Sequence, residues 1–137
     1  IQISAGLRVS LTGQDAETLA ALRPFAEGVY LHQVVERRGN ALRRYLDLPE
    51  VLARTADDTA PREWRIHFHV PLFRERLGPF ANTQDVLREV LAVVRAEPVS
   101  PHLEVETYTW DVLPEEYRRE DIVTAVAREL DWVLQQW

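Results

Sequence analysis

The stretch His102-Leu103-Glu104-Val105-Glu106-Thr107-Tyr108-Thr109-Trp110 predicts a β-strand, because it is rich in β-branched and aromatic residues and is bounded by Pro101 and Asp111. Strand side chains alternate between two faces, so Glu104 and Glu106 are expected on the same face. Neighbouring carboxylates repel each other, and burying them without partners is costly. The predicted strand therefore needs water or positively charged groups on its acidic face.

A second predicted strand, Trp64–Pro71, supplies candidate partners for these carboxylates. His67 and His69 share one of its faces, and apolar residues occupy the other. Two more predicted strands carry polar residues at the same spacing: Gln2 and Ser4, and Tyr30 and His32. We therefore expect the four polar faces to converge on a single site.

Composition limits the class of protein. The chain has 137 residues, of which 46% are hydrophobic and 28% charged, and these values are typical of one globular domain, here 1–137. The net charge of −6 does not favour binding to nucleic acid or to an anionic membrane. Without cysteine, the chain has no disulfide and no thiolate metal site.

The ends and the apolar runs of the chain bear on its location. No apolar run approaches the roughly 20 residues that a membrane span needs, and no signal peptide is visible, so a cytoplasmic location is expected. The chain contains no methionine and opens at Ile1 directly in a predicted strand. We therefore expect it to be a fragment of a longer chain.

The order of predicted elements is βαβαβαβα. The strands begin near residues 1, 29, 65 and 102, and the helices cover about 15–26, 40–55, a stretch between Thr83 and Pro98, and 121–137. Such alternation predicts a parallel sheet with helical crossovers. Polar residues repeated on one strand face fit a barrel interior, so the expected fold is the C-terminal half of a (β/α)8 TIM barrel, with four β/α units.

Two of these segments resemble a known family. The stretch Trp64-Arg65-Ile66-His67-Phe68-His69-Val70-Pro71 and the stretch from His102 to Pro114 are similar to the C-terminal half of the Ebo-type metabolite traffic proteins. Ile1–Ser4 and Tyr30–Val35 are also similar to that family. The resemblance implies a xylose-isomerase-like, sugar-phosphate isomerase/epimerase-like barrel, encoded in a cluster that makes and moves a prenylated secondary metabolite.

The resemblance also implies roles for particular residues. A divalent metal (Mn, Zn or Fe) would be held by His69 and Glu104, and Glu106 or His67 would move a proton on the substrate. Independently of the resemblance, the polar positions on the first two predicted strands make four residues candidates for contact with substrate hydroxyl groups: Gln2, Ser4, Tyr30 and His32. Ordinary structural roles remain open, because the histidines could be hydrogen-bonding residues and the glutamates could form salt bridges with Arg65 or His67.

Two functions follow from these expectations. The first is a metal-assisted isomerase or epimerase that acts on a sugar-like or polyol substrate. The second is a non-catalytic barrel that binds a metabolite or a partner protein, since a barrel fold alone does not specify catalysis. In either case a half-barrel would expose strand edges, so we expect self-association or pairing with the missing half.

Overall fold

A computed structural model describes residues 1–54 and 58–137. Within these ranges the β-strands are β1 (Gln2–Ile3), β2 (Ala5–Leu11), β3 (Val34–Arg38), β4 (Ala41–Tyr45), β5 (Arg62–Val70), β6 (Arg76–Leu77), β7 (Phe80–Asn82) and β8 (Glu104–Val105). The α-helices are α1 (Ala16–Leu22), α2 (Leu48–Arg54), α3 (Gln84–Ala96) and α4 (Ile122–Gln136). Short 3₁₀ helices cover Arg23–Phe25, Trp110–Val112 and Glu115–Tyr117.

The main sheet is antiparallel and has six strands in the order β4-β3-β5-β2-β7-β6. A separate parallel pair joins β1 to β8, with Gln2 opposite Glu104 and Ile3 opposite Val105. The expected parallel βαβαβαβα half of a (β/α)8 TIM barrel is therefore wrong. Alternating side chains identify a strand but not the direction of its neighbours, because parallel and antiparallel strands share the same period of two.

The hairpin β3–β4 is the first element along the chain that contradicts the expected barrel. A helix was expected over about 40–55, but Ala41–Tyr45 pairs antiparallel with β3 through a two-residue loop. In that loop Gly39 has φ 56°, a positive value of the kind that tight hairpin loops need and that glycine adopts at low cost. Helix α2 starts only at Leu48, with Pro49 in its first turn. The expected helix end at Thr55 lies outside the described residues.

A second glycine hairpin, β6–β7, lies between the predicted strand Trp64–Pro71 and the predicted helix that follows it. Gly78 has φ 58° and links two short antiparallel strands. The expected strands over 29–35 and 102–109 are also mostly wrong, since β3 begins at Val34 and β8 contains two residues. Three predictions are confirmed: a strand through most of Trp64–Pro71, and helices that correspond to α3 and α4.

Strand β5 separates the core from the opposite face of the sheet. Trp64, Ile66 and Phe68 are at most 1% exposed, whereas Arg65 and His67, on the alternate face, are exposed. Phe25 packs edge-on against Phe68, with ring centroids 5.1 Å apart. Burying each large apolar side chain contributes about 1.5–3 kcal/mol, so this face holds the sheet to its covering elements.

The C-terminal part packs against one end of the sheet. Helix α4 contacts both α3 and β8. Glu129 of α4 accepts a hydrogen bond from the backbone N–H of Leu72, 3.0 Å away, and another from Thr107. These bonds bring the segment after β8 beside the end of β5. In the described ranges we find no helix with both the length and the apolar character to cross a bilayer.

Candidate functional site

The end of β5 places two imidazoles side by side, as the spacing of His67 and His69 predicts. Their Nε2 atoms are 3.1 Å apart, and their ring centroids are 5.1 Å apart. His67 is exposed, whereas His69 is 6% exposed. One of the two Nε2 atoms must therefore carry the hydrogen that the other accepts.

The surroundings of His69 decide which imidazole donates. Its Nδ1 lies 3.0 Å from the backbone oxygen of Glu106, and a carbonyl oxygen can only accept, so the Nδ1–H of His69 donates. Burial also lowers the pKa of His69, which favours the neutral ring. A neutral ring with its hydrogen on Nδ1 presents a lone pair at Nε2, so the Nε2–H of His67 donates to it.

The second ring nitrogen of His67 faces the side-chain amide of Gln33, which can accept or donate a hydrogen bond. Nδ1 of His67 lies 2.9 Å from Oε1 of Gln33. With the amide oxygen turned inward, Nδ1 of His67 donates to it; with the NH₂ turned inward, Nδ1 accepts from it. In both orientations the amide of Gln33 holds the His67 ring beside His69.

Two tyrosines form an aromatic wall beside the histidines. The Tyr108 ring centroid lies 4.4 Å from that of His69 and 4.9 Å from that of Tyr30, both in edge-on contacts. Burial and the nearby charge of Glu106 raise the pKa of Tyr108, so its hydroxyl stays protonated. Sequence reasoning did not include Tyr108 among the site residues, although its position two residues after Glu106 was a usable signal.

The carboxylate of Glu106 completes this group, here called the imidazole–tyrosine cluster: Tyr30, His67, His69, Glu106 and Tyr108. Oε2 of Glu106 lies 3.8 Å from Nδ1 of His69, which is close enough for attraction but too far for a hydrogen bond. The side chain is 34% exposed. It is therefore free to accept hydrogen bonds from a molecule that arrives from solvent.

The side chains of the other predicted site residues form no hydrogen bond with the side chains of this cluster in the described ranges. Gln2 and Glu104 are exposed and lie opposite each other on the β1–β8 pair, and Ser4 is half-buried between β1 and β2. The side chain of His32 is fully buried, with Nε2 2.7 Å from Glu27 and Nδ1 3.3 Å from the backbone oxygen of His67. His32 therefore supports the chain behind the cluster, and a ligand from solvent does not reach it.

The expected metal site at His69 and Glu104 is wrong. Across residues 1–54 and 58–137, no group of three or more histidine, aspartate or glutamate side chains is arranged to hold an ion. His69 already uses both ring nitrogens, one toward Glu106 and one toward His67. Mn, Zn and Fe sites in proteins are built from several converging ligands, which Glu104 on its exposed strand does not join.

Comparisons with known proteins give no assignment: no family model, no curated protein and no solved structure matches this chain.

Proposed function

We propose that this chain binds a small hydroxylated metabolite at the imidazole–tyrosine cluster. The observation that supports this best is the set of unused polar groups around the aromatic wall. Within the described ranges, the hydroxyls of Tyr30 and Tyr108 have no hydrogen-bond partner, and the Glu106 carboxylate has only its long contact to His69. Such groups can hydrogen-bond a polyol while the ring edges pack against its carbon skeleton.

The proposed biological setting comes from the resemblance to the Ebo-type metabolite traffic proteins. In that setting the ligand is a sugar-like metabolite, or a precursor of a secondary metabolite, that is held in the cytoplasm. Neither a barrel nor a divalent metal is part of this proposal. Self-association also stays a prediction.

Ligand binding can be tested by NMR titration of the ¹⁵N-labelled chain with a panel of monosaccharides and polyols. We expect selective shifts of the Tyr108 and His69 signals. Glu106→Gln removes a charged acceptor and should weaken binding by about tenfold or more, because hydrogen bonds to charged groups contribute about 1.5–3 kcal/mol. Glu104→Gln is the matched control, since it makes the same change on β8 outside the cluster, and should leave affinity unchanged.

Two results would contradict the proposal. One is the absence of any saturable shift with the whole panel up to about 10 mM, the weak end of specific recognition. The other is an equal loss of affinity in Glu104→Gln and Glu106→Gln, which would indicate a general effect of charge.

A second candidate function is metal-free acid–base chemistry on the bound ligand. It is favoured by the hydrogen-bond chain from Gln33 through His67 to His69, which holds an exposed imidazole beside the aromatic wall, and imidazole is the commonest general base in proteins. If His67 abstracts a proton from carbon, ligands incubated in D₂O should gain deuterium at that carbon. His67→Gln should abolish this exchange without abolishing binding. Unchanged exchange in that variant would exclude His67 as the base.

A further inference from the structure

The face of the sheet opposite the core carries a row of arginines. Following the pairing register across the six strands, residues that lie directly opposite one another are Arg44, Val35, Arg65, Arg8, Ala81 and Arg76. Arg37 lies on the same face, two residues along β3 from Val35. We call these five side chains the arginine face: Arg8, Arg37, Arg44, Arg65 and Arg76.

This face has the opposite charge from the rest of the chain. Its five arginines lie with Arg88 and with three carboxylates, Glu63, Glu75 and Asp85, which gives a net charge of 6 − 3 = +3. The whole chain carries −6, so the remainder carries −6 − 3 = −9. Glu63 is shared by Arg37 and Arg65, and in the described ranges Arg44 and Arg76 form no salt bridge. The face therefore attracts further negative charge.

Strand β4 forms one open edge of this face. It is the terminal strand of the sheet, and the part of the chain that the structure describes places no strand beyond it. In a hairpin closed by a two-residue loop, alternate residues of each strand turn their backbone N–H and C=O away from the partner strand. From the register with β3, these residues on β4 are Leu42 and Arg44. Their backbone groups are free to pair with an incoming strand.

Apolar surface lies within the same edge. Leu42 is 65% exposed and, with Val35, lines a shallow depression of about 310 Å³ that Arg37, Glu63 and Arg65 surround. A strand added beside β4 would place alternate side chains over this face, one toward Leu42 and the next toward Arg44. The edge thus fits a segment in which an apolar residue and an acidic residue are two positions apart.

We propose that the β4 edge and the arginine face bind an extended acidic segment of a partner protein, which adds to the sheet as a seventh strand. Backbone pairing supplies affinity, and the arginines select acidic side chains over neutral or basic ones. A polypeptide is favoured over nucleic acid and over an anionic membrane because only a polypeptide can pair with the outward backbone groups of the β4 edge.

The test uses the whole chain and a fluorescent peptide of about eight alternating aspartate and valine residues, a length typical of strands. Its counterpart with lysine in place of aspartate, an oligothymidine and phosphatidylserine vesicles are the comparison probes. We expect the acidic peptide alone to bind saturably and its affinity to fall with added salt. Hydrogen exchange at the Leu42 and Arg44 amides should slow when the peptide is present.

Variants separate the charges from the backbone edge. Arg44→Glu combined with Arg65→Glu should weaken binding by about tenfold or more. Leu42→Pro removes an outward N–H at an edge position where proline is tolerated, and should also weaken binding by about tenfold. Arg119→Glu makes the same kind of charge change away from the sheet and should leave affinity unchanged. Circular dichroism checks that each variant is folded.

Several outcomes would overturn the proposal. These are no saturable binding of the acidic peptide up to about 1 mM, or tighter binding of the oligonucleotide or the vesicles. Unchanged exchange at Leu42 and Arg44 in the wild-type chain with the peptide bound would show that the peptide does not pair with β4. This last measurement decides the point even if Leu42→Pro fails to fold.

Discussion

Two buried carboxylates, Glu36 on β3 and Glu129 on α4, are similarly enclosed but have opposite surroundings. Glu36 is 3% exposed and Glu129 is 1% exposed. Glu36 accepts hydrogen bonds from Arg38 and from the indole N–H of Trp64, each 2.8 Å away, and Arg62 approaches within 3.7 Å. Glu129 accepts from the uncharged N–H of Leu72 and hydroxyl of Thr107.

The difference shows that burial raises the pKa of each carboxyl group and that the donors around it decide whether this rise is outweighed. Burial alone would raise the pKa of Glu36, but the bonds from Arg38 and Trp64 and the charge of Arg62 hold it below its ordinary value. Burial raises the pKa of Glu129, and its neutral donors do not offset this. Glu36 thus neutralises cations in the sheet, whereas Glu129 links α4 to the segments beside the imidazole–tyrosine cluster.

The largest effect on stability is expected at Glu36. Arg38 and the fully buried Arg62 share two carboxylates, Glu36 and the more exposed Asp58. Glu36→Gln removes the buried one of the two and should cost about 3–5 kcal/mol in urea unfolding. Glu63→Gln is the matched control, because Glu63 pairs with Arg37 and Arg65 at the surface and should cost at most about 1 kcal/mol. Equal losses in the two variants would mean that burial of the ion pair has no influence.

A smaller loss is expected at Glu129. Glu129→Ala leaves the Leu72 N–H and the Thr107 hydroxyl without an acceptor and should cost about 2–4 kcal/mol in the same unfolding measurement. Glu129→Gln keeps one acceptor oxygen and should cost about 1 kcal/mol. If the alanine variant were as stable as the glutamine variant, Glu129 would not hold these segments together.

The opposite pKa shifts predict opposite pH dependences. Because the folded-state pKa of Glu36 is lowered, its stabilising contribution is present above the unfolded pKa and is lost as pH falls through the folded pKa. Because that of Glu129 is raised, its contribution is present below the unfolded pKa and is lost as pH rises through the folded pKa. The stability of the wild type relative to Glu129→Gln should therefore grow as pH falls from neutral, and a decrease would contradict the raised pKa.

The smallest effect is expected at Tyr45, a peripheral contact of Glu36. Its hydroxyl lies 3.5 Å from Oε1 of Glu36, near the limit for a hydrogen bond. Tyr45→Phe should change the unfolding free energy by about 0.5 kcal/mol or less. A loss of several kcal/mol would show that Glu36 depends on this hydroxyl as well as on the arginines.

Part of the candidate site could be predicted from local spacing. His67 and His69 are two residues apart on β5, and that spacing alone places both imidazoles on one face. The contact of His69 with Glu106 and Tyr108 could not be predicted in the same way, because the segment after β8 is not a long strand. The burial of the His32 side chain could not be predicted from local spacing either, because it depends on contacts with Glu27 and with the backbone of β5.

Both hairpins had signals in the sequence that the barrel prediction overlooked. Gly39-Asn40 and Gly78-Pro79 each provide a glycine at the first position of a two-residue loop. Leu42 and Leu46 are four residues apart and imitate a helical stripe, which favoured a helix where β4 lies. With these two hairpins recognised, strands follow one another without a helix between them, and the predicted alternation of strands and helices does not hold.

The sequence by itself determined the local elements with the strongest periodicity: β5, α3 and α4. Their patterns repeat within one segment, so neighbours elsewhere in the chain are not needed to identify them. Only the tertiary structure decided that β5 lies antiparallel between β2 and β3, and that one buried glutamate faces arginines while the other faces neutral donors. The direction of β5 relative to its neighbours depends on distant segments, and the ionisation of the two glutamates depends largely on Trp64, Leu72 and Thr107, which are also distant in sequence, so local patterns do not encode them.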